Sequence, residues 1–148
     1  MNDVTIRLMT DDDVTQCIKV ADESSLSFWS EDAYHRELSR TDAIARVAAN
    51  GTKVLGFIVG RIVAGPEAEI YNIGVRADAR RAGIGRSLIN SFTTECHKLN
   101  VNCIWLEVRI SNLSAIKFYE EADFVQVSVR KGFYSNPSED AVLMNKKI

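Results

Sequence analysis

The stretch EAEIYNIGV, Glu67 to Val75, carries apolar side chains first at even positions (Ala68, Ile70) and then at odd ones (Tyr71, Ile73, Val75). Side chains of a strand alternate between two faces, so a one-residue change of phase turns the apolar set to the opposite side. One face stays buried through such a switch only if an extra residue is inserted. The pattern predicts a β-bulge near Ile70 to Asn72; the alternative is a strand buried on both faces. Just downstream, RRAGIG (80–85) places Gly83 and Gly85 at a helix entrance. That helix repeats Ile84, Leu88, Phe92 and Cys96 every four residues, flanked by Ile89 and Leu99, which reads as amphipathic.

The remaining elements arrange themselves around this strand and helix. Val4 to Leu8 alternates as a strand. Thr10 and Asp13 have the spacing of a capping box, opening a helix to about Ser24. Ser30 is a good N-cap for a second helix, Glu31 to Leu38, with two acids in its first turn. Ala43 to Ala49 and Lys53 to Val63 are strands joined by the hairpin signal Asn50-Gly51, and Gly65-Pro66 makes the next turn. Cys103 to Val108 is a short buried strand. Asn112 or Ser114 opens a helix carrying Ala115, Phe118, Tyr119 and Ala122. Phe124 to Lys131 and Ala141 to Lys146 are strands joined by the turn-rich SNPSED. The order β-α-α-β-β-β-α-β-α-β-β predicts a mixed α/β fold in a single domain, residues 1–148.

The chain has 148 residues, 46% hydrophobic and 26% charged, with a formal net charge of −2. That balance argues for a packed soluble domain and against a general nucleic-acid binder. No apolar run approaches the roughly 18 residues of a membrane span, and the acidic N-terminus has no signal-peptide core. The expectation is a cytoplasmic protein with no membrane partner, a monomer or weak dimer. Cys17, Cys96 and Cys103 show no CxxC spacing and read as reduced thiols. His35 and His97 lie far from acidic pairs at ligand spacing, so no metal is expected.

Arg76, Arg80, Arg81 and Arg86 crowd the glycine segment. A helix start exposes amides without intrahelical acceptors and the positive end of the dipole, a ready anion site. No Lys-Ser/Thr follows the glycines, so this is not a Walker loop, and Leu88 stands where a dinucleotide fingerprint needs its third glycine. Taken alone, the stretch reads better as a glycine-rich turn with solvated arginines.

Arg80-Arg81-Ala82-Gly83-Ile84-Gly85 after Tyr71-Asn72-Ile73-Gly74-Val75 resembles the R/Q-x-x-G-x-G/A pyrophosphate motif of the GCN5-related N-acetyltransferases. The likeness extends over the whole chain and is similar in detail to the ribosomal-protein alanine N-acetyltransferases of the RimI type. The segments carrying that likeness are Phe28-Trp29-Ser30, Trp105 to Arg109 with Ser111-Asn112, Ala115 to Glu120, and Arg130 to Tyr134 with Glu139-Asp140-Ala141. The resemblance implies a splayed central sheet with a bulged strand, and acetyl-CoA as acetyl donor. It assigns the pantetheine arm to the backbone of Ile73, Gly74 and Val75, and the pyrophosphate to Arg81, Ala82, Gly83, Ile84, Gly85 and Arg86. Asn112 matches a cofactor-contacting asparagine and is equally an N-cap.

The same resemblance makes Glu107 the general base and Tyr119 the general acid. On sequence alone, a strand glutamate is more often solvent-facing and a tyrosine on an apolar helix face more often core. Chemistry asks for both types. The attacking amine must be neutral, and near pH 7 that costs about 1 kcal/mol for an α-amine and about 4–5 for a lysine. A carboxylate meets the first demand more easily, and a phenol can protonate the leaving thiolate. Trp29, Tyr134 and Glu139 match the substrate side. Packing explains Trp29 as well, and Glu139 with Asp140 either attracts the ammonium or positions strand ends. The family's usual paired tyrosines are Phe133-Tyr134 here, and Asp123 replaces its usual glycine.

The implied activity is acetylation of a protein N-terminus, with a ribosomal small-subunit protein starting in alanine as substrate. Two alternatives remain: acetylation of a small amine or a lysine side chain, and a non-catalytic acyl-CoA sensor. The Phe-Trp-Ser and Glu-Asp-Ala segments speak against the first, and the presence of both Glu107 and Tyr119 against the second.

Overall fold

A computed structural model describes residues 3–24 and 29–148. In chain order it contains β1 (Thr5–Leu8), a 3₁₀ turn (Asp11–Asp13), α1 (Val14–Glu23), α2 (Glu31–Leu38), β2 (Ala43–Asn50), β3 (Lys53–Ala64) and β4 (Glu67–Val75). A second 3₁₀ turn (Ala77–Ala79), α3 (Ile84–Lys98), β5 (Cys103–Arg109), α4 (Leu113–Glu121), β6 (Val125–Tyr134) and β7 (Glu139–Lys147) follow. The seven strands make one mixed sheet, order β1-β2-β3-β4-β5-β7-β6. Only β4 and β5 run parallel, and they pair solely through Glu67–Glu69 against Cys103–Trp105. Beyond that register the two strands diverge, and the sheet splays open at its centre.

The bulge is where the phase change requires it. Asn72 pairs with Val59 and Ile70 with Gly60, leaving Tyr71 as the extra residue. Ala68, Ile70 and Ile73 consequently stay in one core cluster, with Val75 packed against it. Tyr71 leaves that apolar set and packs against Trp29, ring centres 6.0 Å apart.

Helices cover both faces. The α3 and α4 side buries Leu88, Phe92, Leu106, Val108, Ile116 and Tyr119 in one cluster. The α1 and α2 side buries Val14, Cys17, Val20 and Tyr34 on Val47, Phe57 and Val59. The approach of α3 to β3 is close: a Cβ at Gly60 would lie 2.5 Å from the Phe92 ring. No described helix is long and apolar enough to cross a membrane.

Helix entrances follow their capping residues. The Asp13 carboxylate accepts the Thr10 amide at 2.8 Å, and the chain passes through a 3₁₀ turn before α1 begins. Ser30 Oγ accepts the Ala33 amide at 3.1 Å at the start of α2. Asn112 caps α4 by accepting from Ala115 at 3.2 Å. Asp123 adopts φ 73, the left-handed conformation a glycine would take most easily.

Three sequence expectations shift. The two-residue hairpin loop is Gly51-Thr52, because Asn50 still pairs with Lys53. Gly51 supplies φ 60 at the first loop position, which glycine adopts without strain. Leu99 is 45% exposed beyond the end of α3 and not on its buried face. The last strands reach Tyr134 and begin at Glu139, so the final turn shortens to residues 135–138. Cys17, Cys96 and Cys103 are free and buried.

Candidate active site

A cleft of about 910 Å³ opens where β4 and β5 separate. Its walls come from the end of β4 (Ile73, Gly74, Val75), the entrance of α3 (Arg81, Gly83, Ile84, Gly85, Arg86), the end of β5 (Glu107, Arg109), α4 with its cap (Asn112, Phe118, Tyr119), and Tyr134.

The β4 wall turns backbone groups toward the cleft. The Arg76 amide bonds to Leu55 O at 2.8 Å. Hydrogen bonds alternate along an antiparallel pair, so Gly74 also bonds toward β3, while Ile73 and Val75 turn their N–H and C=O to the splayed side. There an extended ligand can pair with them as a strand would.

The α3 entrance is an anion cradle. Its first-turn amides have no intrahelical acceptor. The two glycines that open it do different things. Gly83 sits at φ 79, and a Cβ there would meet only open space, so nothing crowds a ligand at this point. Gly85 packs against α4: a Cβ would come within 3.0 Å of the Phe118 ring. Arg81 holds φ 67 on the cleft wall. Arg86 donates to Glu121 O at 2.9 Å, tying α3 to the end of α4. Arg80 donates to Val75 O at 3.1 Å and to Ser24 Oγ at 3.2 Å, and Arg76 forms a two-pronged pair with Asp78. Ala82 is exposed and does not line the cleft.

Glu107 and Tyr119 reach the cleft from opposite faces. Leu106 and Val108 lie in the same core cluster as Tyr119, so alternation sends Glu107 to the α1/α2 side. Glu107 Oε2 accepts from Arg130 Nη1 at 2.8 Å. Arg130 is half exposed and stacks over Phe133 at 4.5 Å. Tyr119 is 9% exposed, and burial pushes its phenol up from the usual value. Asn112 lines the cleft while capping α4.

On the α1/α2 side, Tyr134 is half-buried on the cleft wall, its phenol pushed up to about 12 by burial and then by the Glu107 charge. Glu139 is already engaged: it accepts the Ser111 amide at 2.7 Å and Arg109 Nη1 at 3.2 Å. Those bonds, Ser111 first, hold its carboxyl below the usual range. This geometry matches the strand-end role. Trp29 packs on Tyr34 at 5.2 Å and lines a separate hollow of about 530 Å³, with Arg36, Arg61 and Tyr71. Phe28 lies outside the described residues.

Two residues escaped the sequence reading. Glu69 pairs with Trp105 across the parallel ladder, on the Glu107 face, and burial, followed by the Glu107 charge, pushes its carboxyl up. Asn72, 4% exposed and lining the cleft, has an unpartnered Nδ2. The signal for both was the bulge, which sets the face of every residue around it. Among the described residues no three His, Cys, Asp or Glu gather as a metal site.

Residues 12–124 match the family model described as the acetyltransferase (GNAT) family. The chain is 34% identical over 118 residues to the [ribosomal protein bS18]-alanine N-acetyltransferase of Escherichia coli strain K12, covering 78% of each chain. It is 30% identical to an N-alpha-acetyltransferase of Saccharolobus solfataricus, over 99% of this chain and 94% of that one. Among solved structures, Ard1 from Thermoplasma volcanium superposes with a TM-score of 0.88 at 30% identity, covering 98% and 97% of the two chains. The E. coli ribosomal-protein-S18-alanine N-acetyltransferase gives 0.86 at 28% identity, covering 98% and 94%.

Proposed function

The chain belongs to the acetyltransferase (GNAT) family, and from that premise we propose that it acetylates the N-terminal α-amine of a protein, with a ribosomal protein starting in alanine as the preferred acceptor. The observation that carries this reading is the placement of Glu107 and Tyr119 on opposite faces of one splayed cleft. The relatives named for N-terminal acetylation support the acceptor class.

Acetyl-CoA supplies the activated acetyl group and a thiolate leaving group. The site fits it on two counts: the open backbone groups of Ile73 and the Val75 amide for an amide-bearing arm (the Val75 carbonyl already accepts from Arg80), and free first-turn amides beside uncrowded Gly83 for phosphates. In this reading Ile73, Gly74 and Val75 hold the pantetheine arm. Arg81, Gly83, Ile84, Gly85 and Arg86 surround the pyrophosphate, with Ala82 contributing backbone only. Asn112 keeps its Nδ2 for the cofactor while Oδ1 caps α4.

Glu107 takes a proton from the acceptor's α-ammonium, directly or through one water. Tyr119, kept neutral by burial, donates its hydroxyl hydrogen to the departing sulfur. The raised phenol is a weak acid, so it acts chiefly as a hydrogen-bond donor whose proton moves as charge builds on sulfur. Tyr134 borders the path of the acceptor chain, Trp29 backs it from the adjoining hollow through Tyr71, and Glu139 shapes that path from behind.

The test is a panel of N-terminal peptides and free amines with acetyl-CoA, followed by thiol release. Turnover on peptides beginning with alanine or serine is expected. Turnover restricted to small amines contradicts the reading, and tight acetyl-CoA binding without turnover on any acceptor contradicts an enzymatic role.

A further inference from the structure

Arg109 lies two residues after Glu107 on β5, so it shares the α1/α2-side face. Its guanidinium is spent on one task. Nη1 donates to Pro137 O at 3.0 Å and to Glu139 Oε1 at 3.2 Å. Nη2 donates to Ser135 O at 3.1 Å. The plane stands over the Tyr134 ring, 4.5 Å from its centre. Glu139 in turn fixes the Ser111 amide at 2.7 Å. One side chain thus grips both sides of the 135–138 turn, the aromatic before it and the carboxylate after it.

Besides Arg109, the turn is held by the Tyr134–Glu139 pair at its base and, further back, by the Gly132 amide on the Asp140 carboxylate at 2.9 Å. Residues 135–138 are exposed. The β6–β7 ladder is irregular between Arg130 and Tyr134, so the pair at the base of the turn, Tyr134 with Glu139, is cut off from the regular pairing. Charge-assisted donors at fixed fork geometry are the strong restraint in such a place, and a stacked guanidinium adds to it. Glu139 also neutralises Arg109, which removes a bare positive charge from the side where an ammonium must enter.

We propose that Arg109 is a positioning residue that sets the acceptor side of the cleft, holding Tyr134 and the 135–138 turn in place while touching neither acetyl-CoA nor the reacting amine. The inference rests on the reading that the acceptor chain passes Tyr134. It assigns to Arg109 the acceptor's KM and leaves acetyl-CoA affinity to the α3 entrance.

Hydrogen exchange on the free protein, with no substrate present, tests the clamp apart from the activity. In Arg109→Ala, amides of residues 133–139 are expected to exchange about tenfold faster, opening locally while the rest of the sheet is unchanged. Arg109→Lys, which keeps the charge but loses the fork, should fall between. Unchanged exchange at 133–139 overturns the proposal; if Arg109→Ala fails to fold, Arg109→Lys decides by the same criterion. With an N-terminal peptide and acetyl-CoA, the acceptor KM should rise about tenfold and the acetyl-CoA KM by less than about twofold, with partial recovery in the lysine variant. A fall in kcat with acceptor KM unchanged also overturns it. Absence of turnover in the wild type defeats the functional reading alone, since the exchange result stands without it.

Discussion

Glu107 and Tyr119 face one cleft from opposite sides of the sheet, the carboxylate from the α1/α2 side and the phenol from the α3/α4 side. The splay between β4 and β5 makes this possible, since an intact parallel ladder would separate them by backbone. In the proposed reaction the amine enters on one face while the thiolate leaves on the other, with both substrates bound together. None of the three thiols can intervene: Cys17 and Cys96 are buried and pushed up to about 12 by burial, and Cys103 is buried at the start of β5.

Initial-rate kinetics should therefore show a ternary complex. Double-reciprocal plots are expected to converge, without a burst of thiol, and iodoacetamide on the native enzyme should leave turnover intact. Parallel lines with an acetylated enzyme recovered after mixing would contradict direct transfer.

The two glycines of RRAGIG should separate in their effects. Gly83→Ala has room for its methyl group but must hold φ 79, at a cost of about 1 kcal/mol. Gly85→Val drives a branched side chain into Phe118, at a cost of about 1–3 kcal/mol. Both should raise the acetyl-CoA KM, with the larger loss of thermal stability in Gly85→Val. Thermal melts with and without acetyl-CoA check the order.

Acid stability should depend on Asp13. Arg7 donates to both of its oxygens at 2.8 and 2.9 Å, and that pair chiefly holds the Asp13 carboxyl below its usual range despite burial. A carboxylate whose folded value is depressed stabilises the fold above its unfolded pKa, about 3.9. That stability is lost as pH falls through the lower folded value. Asp13→Asn should flatten this acid limb. Asp13→Ala removes the bond to the Thr10 amide as well, so about 2 kcal/mol should be lost at pH 7. Denaturant titrations from pH 2 to 7 measure both; an acid limb unchanged in Asp13→Asn would contradict the assignment.

Period-two arithmetic made the bulge legible, because only one insertion keeps Ala68, Ile70 and Ile73 in a single cluster. Local capping made the starts of α2 and α4 legible, because Ser30 and Asn112 act within three residues of themselves. What escaped was long-range. Gly85 is small because Phe118, on another helix, needs the space. Glu139 serves Ser111 across 28 residues, a link no spacing announces. The Gly51 turn slipped by one because glycine accommodates the left-handed position in either loop register. Glu69 and Asn72 became visible only when the bulge fixed their faces.

The central claim is that Glu107 prepares the amine and Tyr119 serves the leaving group. The direct measurement is kcat/KM for an N-terminal alanine peptide from pH 6 to 9 in wild type, Glu107→Gln and Tyr119→Phe, each verified as folded. Glu107→Gln should lose about 100-fold near pH 7, and the gap should close above about pH 8, where the α-amine is already neutral. Tyr119→Phe should lose about tenfold at every pH, because the buried phenol does not ionise in that window. Wild-type turnover in both variants, or a Glu107→Gln deficit that does not shrink as pH rises, would contradict the account.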